Sequence, residues 1–372
     1  MNGVVAPVLE GRGLTKSFLV KQGRGPLARK ARVHAVEDVS VRLEAGKVTA
    51  VVGESGAGKT TVARLLAKIM KPDAGEVLLD GRPAPEGRPR SYARQVQMVF
   101  QDPFASLNPV HRIRHHLARP LLIHHIADGH VEETVAELLR RVALEPDSFT
   151  HKFPHELSGG QRQRVAIARA LAVRPRVLIA DEPVSMLDVS IRLGVLNLLA
   201  DLRDREQLAI LYVTHDIGSA RYLADVIVVM YAGQLVELAP SVRLTDAPAH
   251  PYTQLLLAAA PDPDRGEAVP LAARGAPPSL LAPPSGCRFH PRCPHSMDVC
   301  SAQAPPTIVV GPGHVAACWL HVEPGLRRVT QNGELSAPID SMTIATTGGT
   351  AKHAPAASDF HPGNPTPPHE EE

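Results

Sequence analysis

The 372-residue chain has no apolar run long enough to cross a membrane, for which ~18 consecutive residues are needed. Its first residues lack a basic stretch followed by an apolar one, so we expect no secretion signal. Neither charge dominates, because 40 Lys and Arg residues stand against 38 Asp and Glu residues. Such a balance gives no overall field that would attract nucleic acid. These absences predict a soluble, cytosolic protein without a nucleic-acid partner.

Cysteine is also missing from most of the chain, since all four cysteines lie between residues 287 and 318. No internal repeat is evident. Past about residue 240 the composition shifts towards Pro and Ala. From about residue 331 onwards it is dominated by Pro, Thr, Ala and Ser, which predicts a disordered tail over 331–372.

The most informative stretch that is present reads Gly-Glu-Ser-Gly-Ala-Gly-Lys-Thr-Thr. It follows an apolar run, Val48–Val52, and precedes a helix-compatible segment, Thr61–Met70. Strand, Gly-rich loop and helix in this order form the context of a phosphate-binding loop. The glycines let backbone N–H groups turn towards phosphate oxygens, and the helix N-terminus attracts the same anion. The predicted nucleotide-binding residues of the loop are Gly53, Glu54, Ser55, Gly56, Ala57, Gly58, Lys59, Thr60 and Thr61.

The loop needs partners for catalysis, and the sequence offers candidates. Lys59 is expected to bridge the β- and γ-phosphates, and the Thr60 hydroxyl to ligate Mg²⁺. Asp181 follows the apolar run Val177–Ala180 and supplies the second Mg²⁺ ligand that such a site requires. Glu182 comes next, where a carboxylate can orient and polarise the attacking water.

Two further polar residues each end a predicted strand. The amide of Gln101 is expected to reach Mg²⁺ or water, and the His215 side chain to contact the γ-phosphate. A lone His more often has a structural role. Here it is the fourth polar residue at the same predicted sheet edge, which favours a functional one.

These motifs together resemble the nucleotide-binding subunit of an ABC transporter, over about residues 8–240. In the family's order they are Gly53–Thr60, Gln101, Leu157–Gln161, Asp181–Glu182, Ser185–Asp188 and Thr214–Asp216. The resemblance implies an α/β fold: a P-loop NTPase core with an antiparallel β subdomain and a helical insert at about residues 102–165. It also implies hydrolysis of ATP with Mg²⁺.

In that family two subunits sandwich ATP head to tail. The resemblance therefore implies that one loop contacts the nucleotide of the opposite subunit, through Ser158, Gly159, Gly160 and Gln161. Ser158 also stands where it would cap the following helix. Asp188 matches the loop used for communication between subunits, although Met186 stands where the family usually has Ala. Phe18 falls where the family stacks an aromatic ring on adenine, and a core position remains the alternative for it.

Other segments resemble the oligopeptide and dipeptide importer branch, namely Gln101–Pro103 with Ser106–Pro109, and His250–Thr253. The resemblance implies a second ABC ATPase subunit, identical or paralogous, two integral-membrane permease subunits and an extracytoplasmic solute-binding protein. It places the chain peripherally on the cytoplasmic face of the inner membrane. Members of the branch also import nickel complexes, glutathione or other small solutes, so the solute stays open.

The four cysteines have three interpretations. Cys287, Cys293, Cys300 and Cys318 lack the paired spacing that zinc sites usually show. Four thiolates within a Pro-rich segment suit an iron–sulfur cluster, and the resemblance implies a 4Fe–4S cluster in some members of the branch. Zinc and unliganded thiols stay as alternatives.

We expect three parts: a nucleotide-binding domain at 1–240, an extension with the four cysteines at 241–330, and the tail at 331–372. Two other functions are weighed against an importer ATPase. A soluble ABC protein acting on DNA or ribosomes would need a long coiled coil or a second ATPase unit, and the sequence shows neither. A regulatory iron–sulfur subunit with little hydrolysis conflicts with the intact Glu182, Lys59 and Ser158.

Overall fold

The computed structural model describes residues 6–22, 29–127, 129–259 and 275–322. The predicted disordered tail at 331–372 lies outside these residues. The division at about residues 240 and 330 stays a prediction. Among the described helices, none has the length and apolarity that a membrane crossing requires.

The strands of the described residues form two sheets. In chain order they are β1 (Leu9–Gln22), β2 (Arg29–Leu43), β3 (Val48–Val52), β4 (Ala74–Leu79), β5 (Arg82–Pro83), β6 (Val96–Val99), β7 (Val177–Asp181), β8 (Ala209–Thr214), β9 (Val226–Tyr231), β10 (Gln234–Pro240), β11 (Thr307–Gly311) and β12 (His314–Ala317).

Helices separate most of these strands. They are α1 (Lys59–Leu66), α2 (Arg90–Gln95), α3 (Pro103–Ser106), α4 (Ile113–His124), α5 (Val131–Arg141), α6 (Pro146–Phe149), α7 (Gly159–Leu171), α8 (Val189–Glu206), α9 (Ile217–Leu223), α10 (Ser241–Asp246), α11 (Pro251–Ala258) and α12 (Asp298–Ala302), with short 3₁₀ turns at Pro154–Glu156, His290–Arg292 and Trp319–His321.

The larger sheet has eight described strands in the order β11-β12-β10-β9-β3-β8-β7-β6. Strands β3, β6, β7, β8 and β9 run parallel, as helical crossovers require. Because side chains alternate along a strand, each parallel strand contributes side chains to the two hydrophobic cores on either side of the sheet. In β3, Ala50 and Val52 pack on one face and Val51 on the other. Both faces are covered, which explains why these strands are almost wholly apolar.

The second sheet is antiparallel, in the order β2-β1-β4-β5, and its core residues pack with those of α1. The helices α3–α6 lie between β6 and α7 and pack on the opposite core through residues such as Leu117 and Leu138. The antiparallel sheet and the group of inserted helices therefore match the predicted architecture.

The C-terminal extension continues the main sheet. Strand β12 pairs antiparallel with β10, where Leu238 lies opposite Val315. Beside this pairing, Glu237 is fully buried and its carboxylate accepts a hydrogen bond from His314 Nε2 at 2.6 Å. The same carboxylate accepts the N–H groups of Ala249 and His250 at 2.7 and 2.9 Å. One buried side chain thus joins β10, β12 and the start of α11.

Burial of Glu237 by itself raises the pKa of its carboxyl, but the hydrogen bonds from His314 and the two N–H groups outweigh burial and lower it. A group whose pKa is lowered on folding stabilises the fold above its unfolded pKa, about 4.3 for Glu. This contribution is lost as the pH falls through the folded pKa.

We predict that Glu237→Ala lowers the free energy of unfolding by about 3 kcal/mol at neutral pH, because it leaves three buried donors without an acceptor. Urea unfolding at pH 7 and pH 4 measures this, and the difference between variant and parent should shrink at the lower pH. As a control, Glu44→Ala removes a partly exposed ion pair with Lys47 and should cost less than about 1 kcal/mol. Equal losses for the two variants would contradict this role of Glu237.

Candidate nucleotide-binding site

The Gly-rich loop leaves the buried strand β3 and enters helix α1, as the sequence predicts. Gly58 precedes the helix with a φ of 98°, and a Cβ added there would lie 2.3 Å from the carbonyl oxygen of Ala35. Only glycine fits this conformation and this close approach. The loop is therefore held against β2 at its end, while Gly56 at its tip has no atom within 4 Å of an added Cβ.

Lys59 folds back over the loop that precedes it. Its Nζ donates hydrogen bonds to the carbonyl oxygens of Gly53 and Glu54 at 2.8 and 3.0 Å. Its side chain is buried, and burial lowers the pKa of the ammonium while Glu182, Asp181 and Glu54 partly offset that effect. The Lys59 ammonium is thus held inside the loop by two neutral carbonyl groups. An anion would attract it more strongly than these carbonyls do.

The two predicted Mg²⁺ ligands are already in contact. The Thr60 hydroxyl donates to Asp181 Oδ1 at 3.0 Å, which links the start of α1 to the end of β7. Burial raises the pKa of Asp181, and the neighbouring Glu182 raises it further, whereas the Thr60 hydrogen bond lowers it. A hydroxyl and a buried carboxylate side by side suit a hard divalent cation that prefers oxygen ligands.

Glu182 contacts the two other predicted catalytic residues, Gln101 and His215. Its Oε2 accepts a hydrogen bond from Gln101 Nε2 at 3.0 Å and lies 3.4 Å from His215 Nδ1. The backbone of Glu182 has a φ of 47°, which is uncommon for a residue other than glycine. Such strain is typical of side chains held in one functional orientation.

Most of the residues predicted around the Gly-rich loop line one cleft of about 760 Å³, the size expected for a small-molecule site, although Gly53, Ala57 and Asp181 do not. Its phosphate end is lined by Glu54, Ser55, Gly56, Gly58, Lys59, Thr60 and Thr61, and its polar wall by Gln101, Glu182 and His215. Its apolar end is lined by Phe18, Val33, Ala35, Leu256 and Leu280. The cleft therefore has an apolar end, a Gly-rich loop with a lysine, and a carboxylate wall, in an arrangement that suits a nucleoside triphosphate.

Comparison with known proteins agrees with this geometry. The family described as ABC transporter matches residues 36–185, and the oligopeptide/dipeptide transporter C-terminal region matches residues 236–300. A probable peptide ABC transporter ATP-binding protein of Sinorhizobium fredii is 42% identical over 322 residues, which are 84% of this chain and 89% of that protein. The chain belongs to the ABC transporter ATP-binding subunits.

Other relatives carry similar names. The di/tripeptide transport ATP-binding protein DppF of Pseudomonas aeruginosa is 43% identical over 80% of this chain and 93% of its own length. The oligopeptide transport ATP-binding protein AppF of Bacillus subtilis is 42% identical over 84% of this chain and 97% of its own length. The predicted family and its peptide-importer branch are thus confirmed.

Solved ABC structures share the fold. The match to cbiO1 from Clostridium perfringens, part of the ABC transporter complex cbiONQ, covers 65% of this chain and 92% of that one, with a TM-score of 0.56 at 26% identity. The cassette MJ0796, in a dimer bound to ADP and Pi, covers 63% and 98%, with a TM-score of 0.54 at 27% identity. The predicted ABC ATPase fold and the ATP hydrolase class are therefore confirmed.

The ABC signature loop lies apart from the cleft of its own chain. Ser158 caps α7 as predicted, because its Oγ accepts the N–H of Gln161 at 3.3 Å and the Gln161 side chain accepts the N–H of Ser158 at 3.0 Å. None of Ser158, Gly159, Gly160, Gln161 and Asp188 lines the cleft around Lys59. Ser158 and Asp188 are exposed. Their predicted contact with nucleotide therefore requires a second subunit.

The structure does not support the predicted iron–sulfur or zinc site. All four cysteines are described, yet no three His, Cys, Asp or Glu side chains of the described residues are arranged to hold a metal ion. Cys300 packs in a small apolar cluster with Trp319, Cys287 packs against both this cluster and the main core, and Cys293 packs against the main core. Burial, and to a smaller extent the neighbouring cysteines, raise the pKa of Cys287 to about 12 and that of Cys318 to about 11. These thiols are therefore neutral at pH 7 unless a cation stabilises the thiolates.

Some residues of the site were not predicted. Leu256 of α11 and Leu280 belong to the C-terminal extension, and the carbonyl of Leu280 accepts the N–H of His34 at 3.0 Å, which fixes it beside β2. Tyr252 and Arg292 contact the Gly-rich loop at Glu54, through its backbone N–H and its carboxylate respectively. No local sequence pattern indicates that apolar residues so far along the chain line the nucleotide cleft. The segment His250–Thr253 indicated only a resemblance to the oligopeptide and dipeptide importers.

We predict that Leu280→Ala weakens MgATP binding about fivefold, on the order of 1 kcal/mol, because part of the apolar wall beside Phe18 is lost. Binding of Mg²⁺–tripolyphosphate, which has no base, should not change. Titration calorimetry measures both affinities. The control Leu281→Ala alters the next side chain, which is exposed and does not line the cleft. Equal losses for the two ligands would show that Leu280 does not contact the base.

Proposed function

We propose that this chain is one of the two ATPase subunits of an importer for peptides or related small solutes. Its match to the oligopeptide/dipeptide transporter C-terminal region and the names of its relatives support this class of solute. We place it peripherally on the cytoplasmic face of the membrane, with two permease subunits and an extracytoplasmic solute-binding protein as partners. The binding protein and the permeases, which meet the solute, would select it.

One observation carries the mechanism: Glu182 lies between Gln101 and His215 and next in sequence to Asp181, which contacts Thr60. Thr60, Asp181 and Gln101 are the residues that would hold Mg²⁺, which when bound neutralises charge on the β- and γ-phosphates. Glu182 orients the attacking water and accepts its proton.

The remaining roles follow from position in the cleft. Phe18 at the apolar end is the residue that would stack on the adenine ring. The N–H groups of the Gly-rich loop and the Lys59 ammonium bind the phosphates. His215 lies on the wall where the γ-phosphate would end, and its contact with Glu182 gives it a position from which to sense that phosphate.

The signature loop acts on the nucleotide of the opposite subunit. Ser158 presents its hydroxyl, and the glycines after it present backbone N–H groups, at the positive end of the 13-residue helix α7. Asp188, the residue before α8, is exposed, and so is its loop neighbour Met186, with 58% of its surface accessible. The second subunit is either a copy of this chain or a paralogue.

A second cleft supports the permease partnership. It measures about 300 Å³ and lies between the inserted helices and the sheet, with Phe100, Pro120 and Ile123 among its lining residues. Ile69, Phe100 and Ile123 at its walls are each more than a third exposed. A cleft with exposed apolar walls and with charged residues such as Arg88 and Arg169 in its lining suits a short amphipathic helix from a membrane subunit.

The inserted helices argue against a role on DNA. The longest described helix between β6 and α7 is α4, with 12 residues. DNA-repair ABC proteins need a long coiled coil at this place, and a 12-residue helix followed by a loop cannot form one.

We predict that Glu182→Gln binds MgATP as the parent does but hydrolyses it at least ~10²-fold more slowly in the assembled complex, because the water loses its general base. Steady-state phosphate release and nucleotide titration measure the two effects. Lys59→Ala should instead weaken nucleotide binding itself. The control Glu206→Gln makes the same exchange in an ion pair with Arg141 far from the cleft and should turn over normally. Parental turnover of Glu182→Gln would assign the base to another residue.

We also predict that Glu182→Gln associates when MgATP is added, with itself or with a paralogous ATPase subunit, because trapped ATP joins Ser158 to the opposite loop. Light scattering with and without nucleotide measures the mass. Adding Ser158→Ala to this background should weaken the association. Ser158→Asn, which keeps the helix cap, separates loss of the hydroxyl from loss of the cap. Association that ignores both nucleotide and Ser158 would contradict a composite site.

A further inference from the structure

The second residue of the phosphate-binding loop is acidic, which needs an explanation. Glu54 lines the cleft, and its carboxylate is near enough to Lys59 to influence the pKa of that ammonium. A bound triphosphate would bring several negative charges to the same loop. Like charges a few ångströms apart repel by about 1 kcal/mol in water and by several times that in a partly buried site. A bare carboxylate at this position would therefore oppose the ligand that the loop is built to hold.

The structure shows what neutralises it. Arg292, from the 3₁₀ turn of the C-terminal extension, forms a two-pronged ion pair with Glu54: Nη1 lies 2.9 Å from Oε2, and Nη2 lies 3.1 Å from Oε1. The Arg292 side chain is only 7% exposed, so the pair is little screened by solvent. A bidentate ion pair of this type fixes the orientation of the carboxylate and also neutralises its charge.

The backbone of the same residue is held by the same extension. The N–H of Glu54 donates to the Tyr252 hydroxyl at 2.9 Å, so the extension binds both the backbone and the side chain of this residue. Arg292 Nη1 also donates to the Tyr231 hydroxyl at 3.3 Å. The rings of Tyr231, Tyr252 and Phe289 pack together with centroids 4.5 to 5.5 Å apart. The guanidinium is thus packed beside a buried aromatic cluster, near the rings of Tyr231 and Phe289.

We propose that Arg292 is a positioning residue for the phosphate-binding loop: it neutralises the Glu54 carboxylate and holds it clear of the triphosphate. The C-terminal extension then forms part of the nucleotide site of its own chain. This inference rests on the proposed assignment of the Gly-rich loop to the phosphates of ATP.

The decisive test compares Arg292→Met, Glu54→Gln and the double variant in the full chain, with affinities for MgATP, ADP and AMP from titration calorimetry. Arg292→Met leaves the carboxylate unpaired and should weaken MgATP binding about tenfold, ADP less and AMP least, because the repulsion grows with the charge on the ligand. Glu54→Gln removes the repelling charge, so any change in its affinities should not grow with the charge on the ligand. The double variant should return to within about threefold of the parent, because no bare carboxylate remains.

A neighbouring arginine gives the matched control. Arg288 anchors the same extension through Glu37 and the carbonyl of Ala232, and neither of these bonds involves Glu54. Arg288→Met should affect stability but should not produce a loss of affinity that depends on phosphate number. If Arg292→Met does not fold, Arg292→Lys keeps the charge without the two prongs, and the double variant removes both charges; these two then carry the comparison.

The outcomes separate the two claims. A parent chain that fails to bind MgATP would overturn the proposed function itself. A parent that binds MgATP, with Arg292→Met equal to it, would overturn only the role of Arg292. A loss that is the same for all three nucleotides, or that Glu54→Gln does not relieve, would make Arg292 a general structural anchor and would also overturn the proposal.

Discussion

Parallel hydrogen bonding in the centre of the main sheet decides where each polar group of the nucleotide site lies. In β3, Val52 lies level with Thr214 of β8, and Val213 of β8 lies level with Asp181 of β7. The carboxyl ends of the three strands therefore meet at one edge, where open α/β sheets bind their ligands. The Gly-rich loop, the carboxylates and His215 follow these strand ends. A shift of one residue in this register would turn each side chain to the opposite face.

The charged side chains at this edge of the sheet are partly buried, and burial opposes their ionisation. Burial lowers the pKa of Lys59 and raises that of Asp181, so both groups are less easily ionised here than in water. A ligand that brings phosphate charge and a divalent cation compensates both. The same logic applies to Glu54, whose carboxylate is matched by the nearly buried Arg292. In each case a buried charge is kept only where an opposite charge is within reach.

The C-terminal extension shows that order along the chain and order in space differ. It joins the main sheet through β12, is tied to β10 by the buried carboxylate of Glu237, and reaches the phosphate loop through Arg292. Leu256 and Leu280 then form part of the apolar end of the cleft. The C-terminal extension follows the nucleotide-binding domain in the sequence, yet it packs against both the phosphate-binding loop and the apolar end of the cleft.

The sequence by itself determined the features that depend on neighbours along the chain. The loop before α1 and the Ser158 cap of α7 each follow from a few adjacent residues whose backbone preferences are local. The strand ends were predictable because apolar runs mark buried parallel strands. The residue roles carried over from the family stay predictions.

Only the tertiary structure decided the rest. Four cysteines close in sequence suggested a metal, but in the described part of the chain their thiols, although near one another, do not form a set of metal ligands. Arg292 and Glu54 are 238 residues apart, and Leu280 meets His34 across a similar distance. Such contacts arise from the free energy of burying apolar surface over the whole fold, which no local pattern encodes.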